Sequence, residues 1–457
     1  MKRTINMLEG SLWDKILQFA IPIALTSILQ QVFNAADTLV VGNFCGKDAM
    51  AAVGSNGPMI NLLINLFIGL TMGANVVLAR VTGEGRLDKL SKGVHTSVLI
   101  SLLGGVFLAV LGFFVARPVL KLMGVPENVM PMSLAYFRIY MGGMPVILLY
   151  NFCSAIFRSQ GDTRTPLAAL TIGGVANVGL NIFFVTVFGM DADGVAIATV
   201  ISNLISSLTL VISLMRTDGP THLSFRHLTI EKDLLKDMIK IGMPAGLQGM
   251  AFSISNILVQ SSVNSLGTDV MAATSAALNL EAVMFCLFGG FSQASTTFIG
   301  QNYGAGNMER CRRAAGMSYL ESTIATVVVS ALIVLFRRPL LSIFNRDPAV
   351  IHYGEIRILY IVGFEFFNMT VDNLSSALRG YGNSLAPALI ALFGICVVRV
   401  VWILTVFAKH HTMNVLMTCY PLSWIVADTI LVIYYFYYRN KMKKKGSRSP
   451  KANTVKA

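Results

Sequence analysis

Charge is what this chain has least of. Only 13% of its 457 residues are Asp, Glu, Lys or Arg, and 54% are hydrophobic, whereas soluble domains carry about 25% charged residues. The mean hydropathy is +0.65. Long apolar runs on that background exclude a soluble enzyme or binding module and indicate a polytopic membrane protein. The six cysteines (Cys45, Cys153, Cys286, Cys311, Cys396 and Cys419) form no CxxC pair and no metal-ligand spacing. They read as small apolar fillers rather than a disulfide framework. The N-terminus shows no basic start, short apolar core and small-residue cleavage site, so the first span is expected to act as its own insertion signal. No phosphate-binding P-loop and no nucleophile or metal cluster is present, so an ATP-driven pump, a receptor or a membrane enzyme is not indicated and no cofactor is expected.

The net charge of +13 does not indicate nucleic acid. Most of the Lys and Arg lie in short loops between apolar runs and in the tail Arg439–Lys445. Basic loops of this kind meet anionic headgroups and fix topology. Their bias predicts that both termini are cytoplasmic.

Twelve apolar segments are long enough to cross a hydrocarbon core as helices. They lie at about 15–43, 52–80, 93–115, 133–157, 166–188 and 193–216, then 237–263, 272–300, 314–336, 352–379, 387–408 and 415–438. The halves repeat. The stretch GKDAMAA from Gly46 to Ala52 aligns with GTDVMAA from Gly267 to Ala273, an offset of 221. The same offset pairs Gly69 with Gly290, Gly83-Glu-Gly85 with Gly304-Ala-Gly306, and Arg117-Pro118 with Arg338-Pro339. It also lays RSQGDTRTP, Arg158 to Pro166, on RGYGNSLAP, Arg379 to Pro387. An arginine at a helix end, a glycine in the turn and a proline opening the next helix suit a tight loop in each half.

The expected architecture is an all-α membrane protein with twelve transmembrane helices in two six-helix lobes related by a pseudo-twofold axis. Residues 1–216 form the N-terminal lobe, 217–236 the inter-lobe linker, 237–438 the C-terminal lobe and 439–457 a basic tail. Six spans per half give both halves one orientation, a plan used by transporters that rock around a central site. Pro22 and Pro244, in the first helix of each half, are expected to kink those helices.

Intramembrane acids are costly and mark functional candidates. Asp37 has no acidic counterpart at the repeat offset, so the duplicated architecture does not account for it. Ser27, Gln30, Asn34 and Asp37 are spaced three, four and three apart and share one helix face. That polar stripe should meet a bundle interior or a watery cavity. In the fifth segment Asn177 and Asn181 also share a face, and Thr199 follows in the sixth. A carboxylate, amide carbonyls and a hydroxyl make an oxygen-rich environment for Na⁺, and the same groups suit either protonation state of Asp37. The alternative is that the asparagines hydrogen-bond across helices as packing devices. In the second half, Glu281 and Asp372 divide between cavity and structural roles, Asp372 with an ion pair to Arg379 as its alternative. Glu365 and Asp428 are weaker candidates, and Arg399 is expected to neutralise one of these acids.

These features resemble the multidrug and toxic compound extrusion family, in its bacterial branch that includes a staphylococcal exporter. The residues that carry the resemblance are Gly10-Ser-Leu12, Phe19-Ala-Ile-Pro22, the stretch QQVFNAADT from Gln30 to Thr38, VGNFCG from Val41 to Gly46, and Ala51-Ala-Val-Gly54. The two glycine loops and the paired turns add to it, and the likeness covers the chain up to the basic tail. It implies a V-shaped pair of lobes around a central cavity in a bacterial plasma (inner) membrane. It also implies an antiporter, a monomer amid membrane lipids, that exports bulky, often cationic and amphipathic organic compounds in exchange for Na⁺ or H⁺. The family's first-helix aspartate site maps onto Asp37, with Asn177, Asn181 and Thr199 as its partners. Some relatives have a second aspartate where this chain has Asn181, so the choice of ion stays open. Some have an acid in the seventh helix, whereas here that segment holds Gln248, Ser253, Ser255, Asn256 and Gln260. Two rivals remain. A lipid-linked precursor flippase of the same wider superfamily calls for a strongly basic cavity. A major-facilitator transporter calls for a G-x-x-x-D-R loop that residues 79–89 lack.

Overall fold

The computed structural model describes residues 4–446. Every regular element among them is helical, and they make twelve spans in two six-helix lobes. In the first lobe, α1 is Leu12–Val40 with a π-helical end Val41–Cys45, α2 is Gly46–Gly83, and α3 is Leu87–Leu122. The fourth span, α4, is a bent pair, Met130–Gly142 and Met144–Ser159, turned by 44° at the Gly142-Gly143 step. Helices α5 (Arg164–Thr186) and α6 (Ala192–Met215) complete the lobe.

In the second lobe, α7 is Lys232–Asn264, α8 is Thr268–Gly304 and α9 is Met308–Leu335. A short helix, Arg337–Phe344, precedes α10, which runs as Pro348–Ile361 and Glu365–Gly380 around a 3-10 turn at Val362–Phe364. Helices α11 (Leu385–Phe407) and α12 (Met413–Gly446) end it. Nine of these helices among the described residues are long and apolar enough to cross a membrane singly, and the bent α4 makes a tenth. The remaining spans, α7 and α10, are more polar. α1 and α7 run unbroken through Pro22 and Pro244. α12 continues past residue 439, where a tail was expected, and residues 447–457 lie outside the described part.

The repeat is visible in the backbone. Gly46, Gly85 and Gly161 have φ of 85°, 69° and 87°, and their partners at the 221 offset, Gly267, Gly306 and Gly382, have 106°, 73° and 87°. Such positive φ favours glycine because it lacks a Cβ. The packing obeys the same symmetry. Gly83 of α2 lies against the backbone carbonyl of Gln301 in α8, and Gly304 of α8 lies against that of Arg80 in α2. Residues 80 and 83 correspond to 301 and 304, so the pseudo-twofold axis passes between these helix ends. Further along, buried Asn75 donates to Thr297 Oγ1 at 2.9 Å across the same crossing.

The lobes also exchange their first helices. Leu12, Ile16, Phe19 and Ile23 of α1 lie in the apolar core of the second lobe, where Phe19 meets Phe298 edge-on at 5.7 Å. In return, Leu234, Met238 and Ile241 of α7 lie in a core of the first lobe. Polar contacts close the end of the molecule where α1 begins and α12 ends. Gln301 donates to the Ser159 carbonyl at 2.6 Å, and Arg80 donates to that of Tyr381 at 3.3 Å while lying 5.0 Å over the Tyr303 ring. The arm before α1 is held at both sides. Ile5 N–H donates to the Gly161 carbonyl, and Arg310 donates to the carbonyls of Met7, Glu9 and Gly10 at 2.7–3.0 Å. The linker folds back on α3 of the first lobe through Thr96, His95 and the Lys92–Glu231 ion pair.

A side chain at the axial glycines must drive two backbones apart. Gly83→Leu or Gly304→Leu is therefore expected to cost at least about 1–3 kcal/mol, read as a lower Tm of the detergent-solubilised protein. It should also lower the disulfide yield of a Ser159→Cys/Gln301→Cys pair. Gly179, exposed on α5 with open space around it, should accept leucine with no change in either readout.

Candidate functional site

Three helices bring the polar residues of the first lobe together. Gly173 and Gly174 let α5 close on its neighbours, the first against Ser202 and Ser206 of α6 and the second against the Phe33 ring of α1. That approach turns Asn177 and Asn181, both buried, towards Asp37. Asn181 Nδ2 donates to Asp37 Oδ1 at 2.5 Å and reaches Asn177 Oδ1 at 3.4 Å. Thr199 Oγ1 lies 3.4 Å from Asp37 Oδ2 and only 2.9 Å from the Val195 carbonyl.

A hydroxyl has one proton, so Thr199 donates either to the Val195 carbonyl or to Asp37 Oδ2. When the shorter bond to Val195 takes the proton, the Thr199 lone pairs face the Asp37 carboxylate. Two oxygens facing each other want a cation between them or a proton on the acid. Asn181 Oδ1 is buried with no hydrogen-bond partner among the described residues, another free acceptor beside the same carboxylate. These are oxygen donors of the kind hard cations take. A cavity of about 130 Å³ opens beside them, and Gln30, Asn34, Asp37, Asn177 and Thr199 all line it. Tyr140, Asn151 and Asn203 line it as well. The sequence reading did not single these out. Asn151 and Asn203, polar residues inside apolar runs, carried the same signal as Asn177.

The second lobe holds a larger cavity of about 600 Å³, bounded also by Gly57, Pro58 and Asn61 of α2. Glu281 lines it, gripped by Arg357 of α10: Nε to Oε1 is 2.7 Å and Nη2 to Oε2 is 2.9 Å. Both side chains are under 5% exposed. Arg357 was not anticipated, although an arginine inside the apolar segment 352–379 was a legible signal. Asp372 does not line this cavity. It lies on α10 one helical turn beyond Asn368, which does. Arg379 makes no ion pair with Asp372 and donates instead to Gln248 Oε1 at 2.7 Å.

The expectation that Arg399 neutralises an acid is corrected. Its Nε bonds Ser423 Oγ at 3.1 Å, its Nη1 bonds Asn256 Oδ1 at 3.3 Å, and no carboxylate among the described residues lies within ion-pair distance. Arg357 has already taken both oxygens of Glu281, and Asn368 holds Glu365 Oε1 at 2.7 Å.

Two six-helix lobes with polar cavities between their helices define a multi-pass membrane transporter class. The MatE family model matches residues 22–183 and again 244–405, and the chain belongs to that family. The two matches fall on the two halves. Among curated relatives, the chain is similar to the Bacillus subtilis (strain 168) probable multidrug resistance protein YoeA, 29% identical over 96% of each chain. It is 26% identical to the Thermotoga maritima probable multidrug resistance protein NorM, over 84% of this chain and 83% of that one. A solved multidrug resistance MATE family transporter in an outward-facing conformation superimposes with a TM-score of 0.89, at 21% identity over 96% and 99% of the two chains.

Removing one partner of a buried ion pair leaves the other charge uncompensated, which costs about 3–5 kcal/mol. Arg357→Met alone should lower Tm sharply. The double variant Arg357→Met/Glu281→Met should recover most of the loss, and a double variant no better than the single one would show that the pair is not the cause.

Proposed function

We propose that this protein is a cation-coupled antiporter that exports bulky amphipathic organic compounds, cationic ones included, across a bacterial plasma membrane. In this reading both termini are cytoplasmic, the closed terminal end is the cytoplasmic gate, and the arrangement described is outward-open. The working unit is a single chain surrounded by lipid, with no nucleic acid partner. The observation that supports the coupling is the convergence of Asn181 and Thr199, from two helices, on the lone carboxylate Asp37 in a cavity.

The coupling ion, Na⁺ or H⁺, is a transported species. Its entry would replace the contacts Asp37 makes now: a proton on Oδ2, or a sodium ion shared with Thr199 Oγ1 and Asn181 Oδ1. An ion bound equally in both arrangements of the lobes drives nothing, so the site must change as the lobes move. Asp37 sits just before the π-helical end of α1, and the other end of α1 is seated in the second lobe. The helix therefore links ion occupancy to lobe position. The flippase alternative needs a strongly basic cavity, but Glu281 cancels the charge of Arg357 and leaves Arg399 as the remaining cation.

The test is transport in proteoliposomes under Na⁺ and pH gradients imposed separately. Asp37→Asn should abolish gradient-driven export, and Thr199→Val should weaken the apparent affinity for the coupling ion on the order of tenfold. Export by Asp37→Asn at the wild-type rate would sink the proposal, and so would a requirement for ATP. The gradient that alone sustains export names the ion.

A further inference from the structure

Coupling at Asp37 leaves the chemistry of the larger cavity unused. At about 600 Å³ it matches the size of sites that enclose drug-sized ligands. Its charges are unevenly settled. The bidentate Glu281–Arg357 pair is closed on itself. Arg399, the other guanidinium on the lining, has only neutral acceptors, Ser423 and Asn256. The residue lines the cavity, and its Nη2 makes no hydrogen bond with any described residue. Glu365, the other acid of this region, is buried, held by Asn368 at 2.7 Å, and within electrostatic reach of Arg399 without an ion pair to it.

Aromatic rings surround the free guanidinium. Arg399 lies 4.3 Å from the centroid of Tyr420 and 5.8 Å from that of Trp424, and Phe252 and Phe285 complete the apolar lining. The backbone around it is unusual too. Two π-helical stretches, Leu392–Val397 and Ile403–Phe407, flank the turn that carries Arg399. Segments of this kind frequently lie at functional sites, where the extra residue re-aims a side chain. An uncompensated charge inside a membrane protein is costly.

We propose that the cavity of the second lobe binds the anionic end of aromatic organic compounds. A carboxylate, sulfonate or phosphate would pair with Arg399, and the ring would lie against Tyr420 and Trp424. The two lobes then serve opposite charges, an acid in the first and a free guanidinium in the second. The proposal takes its transport direction from the antiporter reading, but binding itself is measured without a gradient.

The experiment is equilibrium binding to the purified full-length protein in a non-ionic detergent. The probes are 1-naphthalenesulfonate and its cationic counterpart, trimethyl(1-naphthyl)ammonium. The sulfonate should bind at least about tenfold more tightly than the ammonium, because a charge-assisted hydrogen bond is made in one case only. Arg399→Gln should remove that preference. Asn256→Asp, which places a carboxylate beside Nη1 and keeps the arginine in position, should weaken the sulfonate by a similar factor without loss of folded protein. Equal affinity for the two probes, or full sulfonate affinity in folded Asn256→Asp, would overturn the proposal. The binding assay imposes no gradient and the proteoliposome assay reads gradient-driven export, so failure of the coupling reading and failure of this one give different results.

Discussion

Two helices from different lobes approach each other backbone to backbone where Gly83 meets Gln301 and Gly304 meets Arg80, and the rest of the structure depends on that crossing. It fixes the pseudo-twofold axis, and it brings Arg80 within hydrogen-bonding reach of Tyr381 and Gln301 within reach of Ser159 across the lobes. It also allows α1 and α7 to reach into each other's cores. In a membrane, where lipid is as apolar as leucine, helices associate through close packing and polar contacts. Small residues at the axis are therefore the strongest available means of joining two lobes that must also move.

The duplication preserved this skeleton and let the polar interior diverge. Glycines at turns and crossings recur because only a residue without Cβ fits those backbones. The cavities answer to other demands. One lobe kept a lone acid among amide and hydroxyl oxygens, and the other gathered a closed ion pair and an arginine stacked on aromatic rings. The scaffolding is symmetric and the chemistry it carries is not.

Much of this was legible from the sequence, for physical reasons. The hydropathy pattern gave the twelve spans, and the 221-residue offset gave the lobes. Helical spacing put Gln30, Asn34 and Asp37 on one face, and all three line one cavity. The contacts of Asn177, Asn181 and Thr199 followed from polarity inside apolar segments. What was hidden depends on pairing across long separations. Glu281 and Arg357 lie on different helices, so no periodicity joins them. Arg399 was placed with the acids because charge neutralisation is the usual solution for a buried base, and the partners it has, Ser423 and Asn256, are neutral. Asp372 shares a face with Asn368, but one turn of helix carries it past the cavity.

The arm before α1 has a kinetic consequence. Ile5 is tied to the first lobe, and Met7, Glu9 and Gly10 are tied to Arg310 of the second. In the antiporter reading, these bonds span the seam that parts when access alternates. They break before any contact of the other arrangement has formed, so their cost falls on the activation barrier as well as on the populations of the two states. In that reading a few residues outside both cavities act as a brake on turnover, independent of what is being carried.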